Sequence, residues 1–196
     1  MTPRDVVHPI ELESYAILRS RVELDHLPPL TRAVVERVVH ASADLGYVDD
    51  LVTDESALRA GQVALLAGTP VVTDVQMVAA GIPTRAVVCR IGQARPVQGL
   101  TRSAVAVRMA FDEVGPGAVW VVGCAPTALD ELLALGVDPA LVVGLPVGFV
   151  GAAESKAALR ASGLPAVSNL SAKGGSAVAA AALNALLYAV APQAHS

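Results

Sequence analysis

One of the chain's four histidines stands where a side chain could do chemistry. His40 closes the apolar segment TRAVVERVVHASAD (31–44), where helical spacing makes Arg37 its i−3 neighbour, Glu36 its i−4 neighbour and Asp44 its i+4 neighbour. The partial negative charge of a helix C-terminus and the Asp44 carboxylate both favour an imidazolium, and Arg37 opposes it. Opposed influences of this kind suit a group that gives and takes a proton near neutral pH. A capping or surface histidine is the plainer alternative. Ser14 is a second candidate. It lies between Ile10 at i−4 and Ile17 and Leu18 at i+3 and i+4, so a hydroxyl interrupts an apolar helical stripe. Such a serine either bonds back to its own helix carbonyl or touches a ligand where the helix meets a sheet.

Other groups suit an anion. Thr101-Arg102-Ser103 opens an apolar helix just after Gly99, and hydroxyls, free N–H groups and a guanidinium fork at a helix N-terminus favour negative charge. Capping by Thr101 explains the hydroxyl but not the arginine. Two glycine-rich turns, Gly144-Leu-Pro-Val-Gly148-Phe-Val-Gly151 and Lys173-Gly174-Gly175-Ser176, sit where strands pass into helices, where backbone can approach a ligand closely. Neither has the order of a dinucleotide or P-loop motif, so no stabilisation by ATP or NAD is expected. From Gln76 to Phe111 there is no Asp or Glu, yet Arg85, Arg90, Arg95, Arg102 and Arg108 all fall there. That window therefore carries +5 within a chain of net −4, leaving −9 for the remainder. It points either to a polyanionic ligand or to scattered solvent charges. Cys89 and Cys124 have no zinc or CxxC spacing, and Cys124, after Gly123, reads as a buried structural cysteine and not a nucleophile.

The elements that must position these groups follow from pattern. Continuous β-branched runs at Pro70–Asp74, Arg85–Cys89, Ala118–Val122 and Ala140–Leu145 predict strands buried on both faces. Helices are predicted over 101–113, 126–135, 152–161 and 175–190 between and after them, and over 9–24, 30–43 and 54–67 before them. The alternation implies an α/β fold: a doubly wound, mostly parallel sheet with helices on both faces and a helical N-terminal arm, in one domain spanning 1–196.

Composition narrows the function classes. With 54% hydrophobic and 16% charged residues the chain is not of the disordered type. Six aromatics are too few for a single-strand nucleic-acid platform, and a net charge of −4 argues against nucleic acid as a partner. The Ala-rich run 177–191 is 15 residues long and contains Asn184, too short for the ~20 residues of a membrane span. No apolar leader follows Met1, so a cytoplasmic location is expected.

Taken together, HPIELESYAILRSRV (8–22), RVVHASAD (37–44), TPVVTDVQMVAAGI (69–82), TRSAVAVRM (101–109), APTAL (125–129), GLPVGFVGAAESKAAL (144–159) and KGGSAVAAAALNALL (173–187) resemble the precorrin-8X methylmutases over nearly the whole chain. The resemblance implies a homodimer that moves a methyl group from C-11 to C-12 of precorrin-8X, or of its cobalt-bearing equivalent, by a 1,5-sigmatropic shift. It implies no redox cofactor and no protein-bound metal. On its terms His40 is the proton donor and acceptor, Ser14 and Arg37 touch substrate, and substrate lies near the subunit interface. Thr101, Arg102, Ser103, Gly148 and Lys173 are the further substrate-binding candidates. A corrinoid rich in acetate and propionate arms would answer the arginine-rich window. Two departures stand out: Cys124 where the family commonly has Asn, and Ser171-Ala172-Lys173 where many members have Gly-Arg before the last glycines. The rival expectation is a non-catalytic carrier that holds the corrinoid and hands it to the next enzyme.

Overall fold

Unbroken apolar runs form the two central strands, β3 (Val119–Val122) and β4 (Leu141–Gly144), in which every residue is buried. Successive strand side chains point to opposite faces. Val119, Val121, Leu141 and Val143 accordingly pack in one core, and Trp120, Val122 and Val142 in the other. Flanking them are β2 (Val71–Thr73) and β5 (Ala166–Asn169), with β1 (Leu51–Thr53) on the far edge, in the order β1-β5-β4-β3-β2. Strands β2 to β5 run parallel; β1 is antiparallel to β5, with Leu51 opposite Asn169. The structure, a computed structural model, describes residues 8–189.

One face of the sheet carries α2 (Pro29–Ser42), α4 (Glu55–Leu66) and α9 (Ser176–Tyr188). The short α5 (Gln76–Ala80) packs on α9, and α1 (Pro9–Arg21) lies outside, against α2. The other face carries α6 (Arg102–Val114), α7 (Pro126–Ala134) and α8 (Ala152–Ala161). This is the expected mostly parallel α/β sandwich with a helical N-terminal arm. Helix α9 is almost wholly buried, and its run of alanines lets α2 approach closely, with Val34 and Val38 sealed between them.

Local signals set the helix starts. Proline occupies the first turn of α1, α2 and α7, where its missing N–H costs nothing. Asp54 and Thr101 cap α4 and α6 through Ala57 N (3.0 Å) and Ala104 N (3.2 Å). Helix α2 has no cap of its own; the Glu55 carboxylate accepts from Leu30 N at 3.1 Å and Thr31 N at 2.9 Å.

Several expectations need correction. Arg85–Cys89 is not a strand: it meets the sheet at a single bridge, Val88 beside Val72, because Arg85 turns away to the carbonyls of Leu65 and Thr69. Strands β1 and β5 replace it; Leu51–Thr53 and AVSN are too short or too polar to read as apolar runs. A four-residue helix, α3 (Tyr47–Asp50), also precedes β1. The apolar stripe of α1 does not face the core: Leu18 is buried, whereas Ile10 is 70% and Ile17 45% exposed. Residue 190, the expected end of the last helix, and His195 lie outside the described residues.

Candidate active site

His40 sits in the last turn of α2, half-buried where α1 crosses. Ser14 Oγ on α1 lies 2.8 Å from its Nδ1. Tyr15, the next residue of α1, stacks on the imidazole with centroids 4.8 Å apart and planes 14° from parallel. Among the described residues none bonds the ring's Nε2. Nδ1 is thus held from the protein side, and Nε2 is not.

The charged neighbours read from helical spacing are turned elsewhere. Arg37 crosses to α1, with Nη1 3.4 Å from Glu11 Oε1 and 3.4 Å from the Tyr15 hydroxyl, and its guanidinium lies 4.5 Å from the centre of the Tyr188 ring. Helix α2 ends at Ser42, and Ala43 adopts a left-handed conformation (φ 53°), so Asp44 is not a helical i+4 partner of His40. Its carboxylate receives Gly46 N at 2.8 Å and Lys173 Nζ at 2.9 Å. Those bonds, the one from Lys173 foremost, hold the Asp44 carboxyl below its ordinary pKa. One turn before His40, buried Glu36 takes a two-pronged grip from Arg19, both bonds 2.8 Å, and another bond from Arg32 at 3.0 Å. Burial works against that carboxylate, but the two guanidinium bonds outweigh it and its pKa is lowered.

The remaining candidates lie along the carboxyl ends of the parallel strands. Lys173 precedes α9, its Nζ over the Tyr47 ring at 4.6 Å as well as on Asp44. Its carbonyl is gripped from below by Lys156 Nζ at 2.6 Å and Asn169 Nδ2 at 3.0 Å. Asp50 completes this support, accepting from Asn169 Nδ2 (2.7 Å), Ser171 N (2.8 Å) and Ser171 Oγ (2.8 Å). Gly148 N donates to the carbonyl of Ala172 at 3.3 Å, so the two glycine turns are joined. Gly174, at φ +157°, is pressed against the chain itself: a Cβ there would stand 2.4 Å from the carbonyl oxygens of Leu145 and Pro146. Its close approach therefore serves turn-to-turn packing, where the sequence had suggested a ligand.

Farther along the rim, Gly151 abuts Pro126, and Thr127 Oγ1 lies 2.8 Å from the Thr101 cap. Ser103 is half-buried in the first turn of α6, and exposed Arg102 bonds the Ile91 carbonyl through Nε at 2.9 Å and Nη2 at 2.6 Å. Each arginine of the acid-free window has such a partner. Arg90 pairs with Glu113 and Arg108 with Glu131, while Arg85 and Arg95 bond backbone carbonyls. At the head of α7, buried Asp74 accepts from Gly123 N (3.0 Å), Cys124 N (2.8 Å) and Ala125 N (3.0 Å), tying the ends of β2 and β3 together. Burial nonetheless raises the Asp74 pKa. Cys124, expected to be buried, is instead exposed at the head of α7, and partial desolvation raises the pKa of its thiol.

Ser14, Arg37 and His40 are thus brought together in the α1–α2 seam. Lys173 is held apart from them, on Asp44 just beyond the end of α2, and Gly148 and Thr101–Ser103 stand farther along the same end of the sheet. Sequence reasoning missed Tyr15, Glu11 and Lys156. The first two had a signal: Glu11, Ser14, Tyr15 and Leu18 follow i, i+3, i+4, i+7, which is the face α1 turns to α2. No group of three or more His, Cys, Asp or Glu among the described residues could hold a metal ion, and none of their helices is long and apolar enough to cross a membrane.

Comparison with known proteins bears on what this geometry is for. The family described as CbiC, precorrin-8X methylmutase, matches residues 9–189. The chain is 41% identical to a cobalt-precorrin-8 methylmutase of Salmonella typhimurium, with 91% of this chain and 93% of that protein covered. It is 42% identical to a precorrin-8X methylmutase of Pseudomonas aeruginosa, covering 89% and 91%. Among solved structures, the precorrin-8x methyl mutase of Thermus thermophilus superposes with a TM-score of 0.82 at 34% identity, covering 91% of this chain and 93% of that one.

Proposed function

Since the chain belongs to the precorrin-8X methylmutase family, we propose that it isomerises precorrin-8X, or cobalt-precorrin-8, by moving a methyl group from C-11 to C-12, with His40 as proton donor and acceptor. The observation that supports the role of His40 is its pairing with Ser14: 2.8 Å at Nδ1, with no bond to Nε2 among the described residues. In this reading Nε2 gives its proton to a macrocycle nitrogen, which makes the conjugated system a better acceptor for the migrating carbon. The methyl then shifts, and the proton returns to Nε2, so substrate and product differ only in connectivity. General acid–base catalysis of this kind contributes about 10²–10⁴-fold, or roughly 3–5 kcal/mol of barrier.

Substrate carboxylates are taken up by cations at the rim. Arg37, held on Glu11 and the Tyr15 hydroxyl, is the cation nearest His40 in sequence, Lys173 and Arg102 stand farther out, and the Thr101 and Ser103 hydroxyls and the Gly148 turn complete the contacts. Lys173 stands in place of the arginine common at this end of the family's motif, with a point charge instead of a fork. The protein acts as a homodimer. Ile10, Leu12 and Ile17 on α1 and Phe149 and Val150 in the 145–151 loop are exposed apolar side chains of the kind that association covers. The macrocycle and a partner enzyme that takes over the product meet it in the cytoplasm, a location that fits two free cysteines.

The test is turnover of substrate in excess of protein, followed by the ultraviolet–visible spectrum of the macrocycle. His40→Ala is expected to lose about 10²–10⁴ in rate while still binding product. Conversion at the wild-type rate would remove His40 from the chemistry, and binding without any turnover in the wild type would make the protein a carrier.

A further inference from the structure

The proton-transfer reading assigns nothing to Tyr15, yet its ring stacks flat against His40. The two rings are 4.8 Å apart and 14° from parallel. Tyr15 is itself held in place: its hydroxyl is 3.4 Å from Arg37 Nη1, and the Arg19 guanidinium lies 5.7 Å from its ring centre. Both arginines are anchored in turn, Arg37 on Glu11 and Arg19 on Glu36. Burial raises the pKa of the phenol, ahead of the opposing influence of Arg37, so it remains a neutral aromatic surface.

The bond from Ser14 defines where Nδ1 sits, but a single point does not define a plane. The final torsion of a histidine side chain is broad and roughly two-fold. An imidazole tethered only at Nδ1 can therefore swing its Nε2 through an arc. A flat neighbour packed parallel to the ring removes that freedom. We propose that Tyr15 is a positioning residue for the methyl shift: with Ser14 holding the point and Tyr15 the plane, Nε2 is aimed at one place on the macrocycle. The inference rests on the reading of His40 as proton donor and acceptor. Misplacement of a reacting group by about 1 Å can cost up to about 10²-fold in rate, so loss of the plane is felt in the chemical step and not in binding.

The experiment compares Tyr15→Leu, which removes the flat ring, with Tyr15→Phe, which keeps the ring and loses the hydroxyl; Tyr15→Met replaces the leucine variant should that one not fold. Expected for the non-aromatic variant is a fall in kcat of about 10–30-fold with KM and product affinity within about twofold of wild type. Tyr15→Phe is expected to recover most of that loss, as a role of the hydroxyl would not predict, and the split between kcat and KM separates positioning from mere packing. Long-range ¹H–¹⁵N spectra of the His40 ring are expected to shift or broaden in the non-aromatic variant alone. Wild-type kcat in that variant, a loss confined to KM, or a phenylalanine variant no better than leucine would overturn the proposal. His40→Ala measured alongside separates the two ideas. If it turns over at the wild-type rate, the reading of His40 fails. If it is inactive while the non-aromatic Tyr15 variant is fully active, only the role of Tyr15 fails.

Discussion

Ser14 and His40 stand 26 residues apart in sequence and 2.8 Å apart in space, joined across the seam between α1 and α2. Neither helix alone makes this site: α2 supplies the imidazole, and α1 supplies the atom that orients it. Ser14→Ala leaves Nδ1 without that partner. One hydrogen bond of this type contributes about 1–1.5 kcal/mol, so a fall in kcat of about tenfold is expected with product affinity retained. Single-turnover and steady-state assays on the same preparation check it, and an unchanged kcat would separate Ser14 from the chemistry.

Lys173 already has a carboxylate partner in Asp44, 2.9 Å away, and an aromatic one in Tyr47. On the proposed reading, a substrate carboxylate would compete with or share this pairing at a half-exposed position, so the gain would be modest and screened by salt. Lys173→Gln is expected to weaken product binding about two- to fivefold at low ionic strength and by less at high salt. Arg102→Ala is expected to behave in the same way. Absorbance titrations at two salt concentrations measure both, and unchanged affinity at low salt would remove the residue concerned from the site.

Lys156 is fully enclosed, and burial pushes its pKa down to about 8, although Asp50 favours the charge. In the unfolded chain the same ammonium titrates near its ordinary value of 10.5. Between these values the unfolded chain holds a proton that the native chain has released, so stability rises with pH across the window, by up to about 3 kcal/mol. Tyr47 works the other way. Its pKa is pushed up to about 12, so the native phenol keeps its proton where the unfolded one ionises, and its contribution falls away only above about pH 10. Urea unfolding at steps between about pH 7 and pH 10 is expected to show the rise, and Lys156→Met is expected to flatten it. A wild-type profile without slope in that range would contradict the assignment.

How much was legible in the sequence depended on which force shaped each element. Val119–Val122 and Leu141–Gly144 are buried on both faces, so composition alone revealed them. Leu51–Thr53 and Ala166–Asn169 are held instead by ladder bonds and by the bonds of Asn169 and Ser171 to Asp50, which leave no apolar run to read. Ser14 and His40 stand out by spacing, and Arg37 by resemblance. The directions of their side chains do not, because Arg37 turns to Glu11, Tyr15 and Tyr188, and Ala43 ends the helix before Asp44 can join its face. On α1 the apolar residues misled: Ile10, Leu12 and Ile17 point outward, and the inward face is mostly polar.

That polar inward face has an operational consequence. Helix α1 is stitched to α2 by Arg19–Glu36, Arg37–Glu11 and Ser14–His40, with Leu18 its one buried side chain, while the sandwich behind is cemented by a continuous aliphatic interior. Segments fastened in this manner open at lower free energy than the core they rest on. When α1 opens, the bond to His40 Nδ1 is lost while the aliphatic interior of the sandwich stays intact. For this protein, intactness of the amino-terminal helix is the quality to verify before any rate is interpreted.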